Sequence, residues 1–230
     1  MRAWLRRPSF LRVEALDGEP LLLHVDRPDQ SEGWLSSVDG GLAPLSAVNP
    51  AVEDARPDDR LVVGGDGLVL HRPFEAHQAD DPMYVNYHWV AMLDPVELAD
   101  AAWHERPEDL PVFLDAVREV DHHGRPAWEA LLHPTDAYDP RCSCCALLFS
   151  AESEARDAEA GAPTVSGREP GLRYADAHRV RLDVGTGVCV LTEEIGGSRA
   201  GYGHEVVIEA VDQPMGEELF QRPRRRWFRR

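Results

Sequence analysis

The stretch His178-Arg-Val-Arg-Leu-Asp-Val-Gly-Thr-Gly-Val-Cys-Val-Leu-Thr-Glu193 reads as two strands joined by a glycine-rich turn. Val180, Leu182 and Val184 alternate with polar partners before the turn, and Val188, Val190 and Thr192 alternate after it. Asp183, Gly185 and Gly187 supply a side-chain-capped turn and the positive φ that a tight hairpin needs. The same grammar recurs at Phe10–Val25 around Asp17-Gly18, and at Val117–Leu132 around His123-Gly124. Hairpins from end to end predict a mainly β (α+β) chain built on antiparallel sheet, with no parallel β–α–β unit.

Outward from these hairpins, Trp4–Pro8 reads as a further strand, and Leu61–His71 as a tight hairpin around Gly65-Asp66-Gly67. Asp39–Arg60 reads as an irregular loop. Asp81-Pro82 reads as the N-cap and first turn of a helix, because Tyr84, Tyr87, His88, Ala91 and Met92 recur at three- and four-residue spacing. A second short helix is expected from Asp94-Pro95 through Ala102, and a third over Ser150–Ala160. Gly161–Gly171 reads as a surface loop. Strands are expected again over Tyr174–Val184, Val188–Glu194 and Glu205–Ala210, and Met215–Phe220 as a short closing segment. Residues 1–220 are expected to form one domain and 221–230 an Arg-rich tail. Trp4, Trp34, Trp89, Trp103 and Trp128 sit in patterned segments and are expected inside; Trp227 sits among arginines and is expected outside.

The chain has 230 residues, a formal net charge of −17, and no Lys; every basic side chain is Arg. Abundant Ala, Arg, Asp and Gly with scarce Ile and Asn fit the codon bias of a GC-rich bacterial genome. An acidic body argues against nucleic-acid binding, which needs a basic face to neutralise phosphate. No run approaches the apolar length of a transmembrane helix. Met1–Phe10 carries charge where the apolar core of a signal peptide would lie, so the sequence as given reads as cytoplasmic, or as extracytoplasmic if a leader precedes it. The basic block is Arg222–Arg230, six Arg in nine residues with Trp227 and Phe228 between them.

Three segments carry a resemblance. Trp4-Leu-Arg-Arg-Pro-Ser-Phe-Leu-Arg-Val-Glu14 followed by an Asp-Gly turn, Gly124-Arg-Pro-Ala-Trp128, and Arg181-Leu-Asp-Val-Gly-Thr-Gly187 together resemble the LolA-like superfamily of bacterial lipoprotein carriers and periplasmic sigma-factor regulators. The resemblance implies a strongly curved antiparallel sheet, an open half-barrel, covered by two or three lid helices. It also implies an apolar cavity for a lipid, an acyl chain or another hydrophobic small molecule. Tyr84, Tyr87, Met92 and Leu93 are then the lid candidates, and Val117, Trp128, Leu131, Val190 and Val207 the sheet-face lining. A non-enzymatic binding protein without a cofactor is the expectation. A structural or regulatory module that binds a protein partner is the alternative.

No His-Glu-x-x-His, Gly-x-Ser-x-Gly, dinucleotide or P-loop pattern occurs. The unusual local feature is Cys142-x-Cys144-Cys145, which with Cys189 accounts for every thiol. Read as Cys-x-Cys-Cys, the run is not expected to converge on one tetrahedral ion; small buried residues in a strand or tight turn are the expectation. A metal or redox protein is the remaining alternative, with His122, His123 or His133 completing a ligand set. A disulfide among the three clustered cysteines is expected to be awkward, whereas one to Cys189 is open in an oxidising compartment.

Overall fold

A computed structural model describes residues 1–7, 9–25, 81–99, 110–159 and 161–221, and the backbone of four short strands between residues 34 and 71. Contacts divide the chain into two compact units, Met1–Pro82 with Pro214–Arg230, and Met83–Gln213.

In the first unit, β1 (Arg2–Arg6), β2 (Phe10–Glu14) and β3 (Pro20–Val25) form an antiparallel meander. The β2–β3 turn centres on Asp17-Gly18: Asp17 Oδ1 accepts the Glu19 N–H at 3.2 Å. Leu11 and Val13 are fully buried and share one face of β2. On the other face, Phe10 meets Phe220 edge-on at 5.3 Å, and Arg12 donates to the Leu219 carbonyl at 2.7 Å. These contacts hold the closing segment, whose last residues form a single 3-10 turn at Glu217–Phe220. The short strands β4 (Trp34–Ser36) and β5 (Leu42–Pro44) pair antiparallel, as do β6 (Val62–Val63) and β7 (Val69–His71). The first pair falls partly within the expected loop; the second is the expected hairpin.

The second unit is a five-stranded antiparallel sheet of β8 (Val112–His122), β9 (Arg125–Pro134), β10 (Ala177–Asp183), β11 (Cys189–Ile195) and β12 (Gly203–Glu205), in the order β12-β11-β10-β9-β8. The β8–β9 hairpin closes through His123 and Gly124 at φ +53° and +82°, the mirror-image turn that suits twisted strands. In β8 the register slips, so Ala116, at φ +52°, and Val117 lie opposite the single residue Ala130. At the β10–β11 turn Asp183 accepts from the Thr186 N–H and hydroxyl, both at 2.8 Å, and from Arg125 at 2.7 and 2.9 Å. A short aspartate carboxylate thus fixes the hairpin that the alternating valines announce. Every strand pairing among the described residues is antiparallel.

Leu132, Val180 and Cys189 face Ala91, Met92, Tyr138 and Leu148 in the core of this unit. Helix α1 (Tyr87–Leu93) supplies Ala91 and Met92. It starts at Asn86, whose side chain accepts the His88 N–H, not at Asp81-Pro82. Val85 at φ +69° stands between those two points and interrupts any earlier helical start. Within the described part of the second expected helix stands a 3-10 turn, Val96–Leu98; its residues 100–102 lie outside the described residues. Helix α2 (Ala151–Glu159) falls where expected, and α3 (Val165–Arg168) is one turn inside the expected loop 161–171. The strand expected over 205–210 stops at Glu205.

Trp128 is 48% exposed, against the expectation of burial. It stands opposite Glu119 and Leu182 in the half of the hairpin nearer the His123-Gly124 turn, where the facing residues of β8 are themselves mostly exposed. Trp4 and Trp89 are half-buried. Trp103, Trp227 and the Arg-rich tail from residue 222 on lie outside the described residues, and Trp34 is described in its backbone alone. No helix among the described residues is long and apolar enough to cross a membrane.

Candidate metal centre

The nine residues expected to line an acyl cavity do not converge. Met92 and Val190 are buried in the core, whereas Val117 and Val207 are 63% and 50% exposed. Tyr87 is also exposed, and Tyr84, Leu93 and Leu131 are half-buried. Trp128 and Leu131 are three apart in one strand, so they project from opposite faces of the sheet and cannot line one cavity. The open depression at the hairpin tip is lined by Glu119, Val120, Asp121, Gly124 and Pro126, none of the nine.

The cysteines do converge. Cys142 and Cys145 bracket two residues, and a 3-10 turn at Ser143–Cys145 folds the run back on itself, with the Cys145 N–H donating to the Cys142 carbonyl at 3.2 Å. The sulfurs of Cys142 and Cys144 lie 3.1 Å apart, and all three thiol sulfurs fall within 4.8 Å of one another. This corrects the expectation that the spacing keeps them apart. All four cysteines are free thiols. Cys144 is exposed, and Cys142 and Cys145 are half-buried, so the group opens to solvent on one side.

A buried carboxylate holds the loop at both ends. Glu97, 3% exposed, accepts the Arg141 N–H at 3.2 Å and the Leu147 N–H at 2.9 Å, on either side of the cysteine run. The Tyr138 hydroxyl donates to Glu97 at 2.5 Å and accepts the Leu148 N–H at 3.1 Å. Arg141 also meets Asp94 at 3.1 Å. Within the run, the Ser143 hydroxyl donates to Asp157 of α2, and the Tyr87 and His88 backbone N–H groups of α1 donate toward Cys145. The turn is therefore tied to α1, to α2 and to the Val96–Leu98 turn.

All three thiols are held above the ordinary cysteine range. Burial is the main cause for Cys142 and Cys145; for Cys144 it is the hydrogen bond with Cys142, followed by burial. Asp157 adds an unfavourable negative charge beside Cys144. Burial likewise pushes the Glu97 carboxyl up, partly offset by its three donors.

Cys189 does not join the group: it is fully buried on β11, with its thiol pushed up by burial. Nor do the histidines considered as further ligands. His133 Nδ1 pairs with the Asp176 carbonyl at 3.0 Å. His122, His123 and Glu205 form a second close group, but Arg181 Nη1 sits 3.3 Å from His122 Nδ1 and Val206 O sits 2.9 Å from its Nε2. Both His122 ring nitrogens thus already have partners, one of them a guanidinium.

The histidine pair beside the cysteine loop escapes sequence reading. His88 Nε2 and His204 Nδ1 are 2.9 Å apart; the outer nitrogens meet the Ala146 carbonyl at 3.2 Å and the Cys189 carbonyl at 2.9 Å. Burial lowers His204 to about 4. Residues 88 and 204 carry no local pattern that pairs them.

No protein-family model, curated protein or solved structure matches this chain. Three free thiols converge on one turn that opens to solvent on one side and is braced by Glu97.

Proposed function

We propose that this protein is a non-enzymatic binding protein whose ligand is a thiophilic ion held by Cys142, Cys144 and Cys145. The observation that carries the reading is the convergence of three free sulfurs within 4.8 Å on a single turn. Thiolates select soft ions, and a turn braced by Glu97 presents them with little rearrangement. The acyl-chain reading, with its open half-barrel and helical lid, rests on α1 lying against the sheet with Met92 and Val190 buried. Of its other lining residues, Tyr87, Val117, Trp128 and Val207 are exposed and Leu131 lies on the face opposite Trp128, so the thiol reading is the stronger.

The test is anaerobic titration of the reduced chain with Cu(I) and Zn(II), read by thiolate-to-metal absorption and by native mass spectrometry. One ion per chain is expected, and its loss in the Cys142→Ser, Cys144→Ser, Cys145→Ser triple variant. Equal uptake by that variant would remove the reading.

A further inference from the structure

We infer that the three-thiol site takes a trivalent metalloid oxyacid, arsenite or antimonite, in preference to a divalent or monovalent metal ion. This deepens the thiol reading above and rests on it. Three features of the site carry it: the number of donors, the engagement of their neighbours, and the charge around them.

The donor count comes first. Zn(II) in proteins takes four ligands in a tetrahedron, and a closed site draws all four from the chain. Three sulfurs converge, and among the described residues the nearby His88, Asp157 and Cys189 each already have a partner or are enclosed. His88 has both ring nitrogens paired, one with Ala146 and one with His204. Asp157 accepts the Ser143 hydroxyl. Cys189 is enclosed in the core. A trivalent metalloid is content with three sulfurs in a pyramid, because its lone pair occupies the fourth direction. The exposed side of the group, at Cys144, leaves room for that lone pair.

Charge decides among ions that accept three sulfurs. Three thiolates around Cu(I) carry two net negative charges, and around Zn(II) one. Around As(III) they carry none. Asp157, an anion, acts on Cys144, while the neighbouring Arg141 is paired with Asp94, and the chain as a whole carries −17. The Tyr87 and His88 N–H groups at Cys145 are neutral dipoles. A half-buried site that faces a carboxylate favours the neutral product, because an uncompensated charge there is costly to desolvate.

The reaction balances without an oxidant. Three As–O bonds of arsenous acid break and three As–S bonds form. The three S–H protons leave with the three hydroxyl groups as water, and arsenic stays trivalent. Binding therefore releases no net protons, whereas a metal cation displaces protons from the same thiols.

The experiment uses the full chain, reduced and kept with a phosphine, and sodium arsenite as the probe. Native mass spectrometry should find one arsenic per chain with three protons lost from the protein, and weakly buffered solution near pH 7 should show no proton release. Each of Cys142→Ser, Cys144→Ser and Cys145→Ser should weaken binding, while Cys189→Ala should keep it. Circular dichroism of each variant separates loss of site from loss of fold. If Cu(I) or Zn(II) binds one to one and arsenite does not displace it, the metalloid assignment falls while the thiol reading stands. Undiminished arsenite binding by any one of the three Ser variants also overturns the three-sulfur assignment. If no ion binds, both fall.

Discussion

The Tyr138 hydroxyl donates to the Glu97 carboxylate at 2.5 Å, with both side chains buried, and the same hydroxyl accepts the Leu148 N–H. Removing the hydroxyl leaves a buried acceptor and a buried N–H without this partner. Tyr138→Phe is expected to cost about 1–3 kcal/mol, measured by urea unfolding. An unchanged unfolding midpoint would mean that the pair does not brace the loop.

Glu97 bridges Arg141 and Leu147 across the cysteine run. Glu97→Gln keeps the volume but weakens the acceptance of two backbone N–H groups. It is expected to loosen ion binding at the thiols by ~10–100-fold while the three sulfurs remain. Calorimetric titration with the best-binding ion checks this, and unaltered affinity would place Glu97 outside the positioning of the site.

Arg125 grips Asp183 with two hydrogen bonds, and Thr186 adds two more, so the Asp183 carboxyl lies below the usual carboxylate range. A lowered acid stabilises the fold fully above its unfolded value, and that stabilisation is lost as pH falls through the folded value. The stability gap between the native chain and Asp183→Asn should therefore be steady near neutral pH and shrink in acid. A gap that grows below pH ~4 would contradict this account.

Gly203 has φ +154°, and a Cβ built there would lie 1.8 Å from the Thr192 carbonyl oxygen. Gly203→Ala must push β12 away from β11, where Gly203 pairs with Glu193. Amide exchange should rise along Gly203–Glu205 and along the facing part of β11. Protection equal to that of the native chain would show that β12 tolerates a side chain.

Trp128 stands half in solvent on the hairpin arm, away from the unit's buried core. Trp128→Ala should change unfolding free energy by no more than about 0.5 kcal/mol, the range of ordinary surface substitutions. A loss of several kcal/mol would mean that this face is covered in solution.

The hairpins were legible because their determinants are local: a valine alternation and an Asp-Gly or His-Gly turn lie within a few residues of each other. The helix at residues 87–93 was legible as a helix, through its aromatic spacing, but not in its start. Asp81-Pro82 carries the stronger capping pattern, and nothing local announces the left-handed Val85 or the cap at Asn86. The thiol convergence was hidden for a different reason. Its brace is Glu97, more than forty residues upstream, and a glutamate in a polar-looking segment gives no sign of being buried. The expected lining divides on face parity: Trp128 and Leu131 read alike as apolar, yet an odd spacing sends them to opposite sides of the sheet.

The β8 register slip at Ala116-Val117 falls on an edge strand of the five-stranded sheet that bears exposed Phe113, Leu114 and Val117. A straight apolar edge of that length would offer a template for a second chain to add a strand. The left-handed Ala116 breaks the regular row of outward N–H and C=O groups midway, and Asp115, Arg118, Glu119 and Asp121 place charge on both sides of the break. An interrupted, charged edge of this kind is a poor template for pairing with another chain.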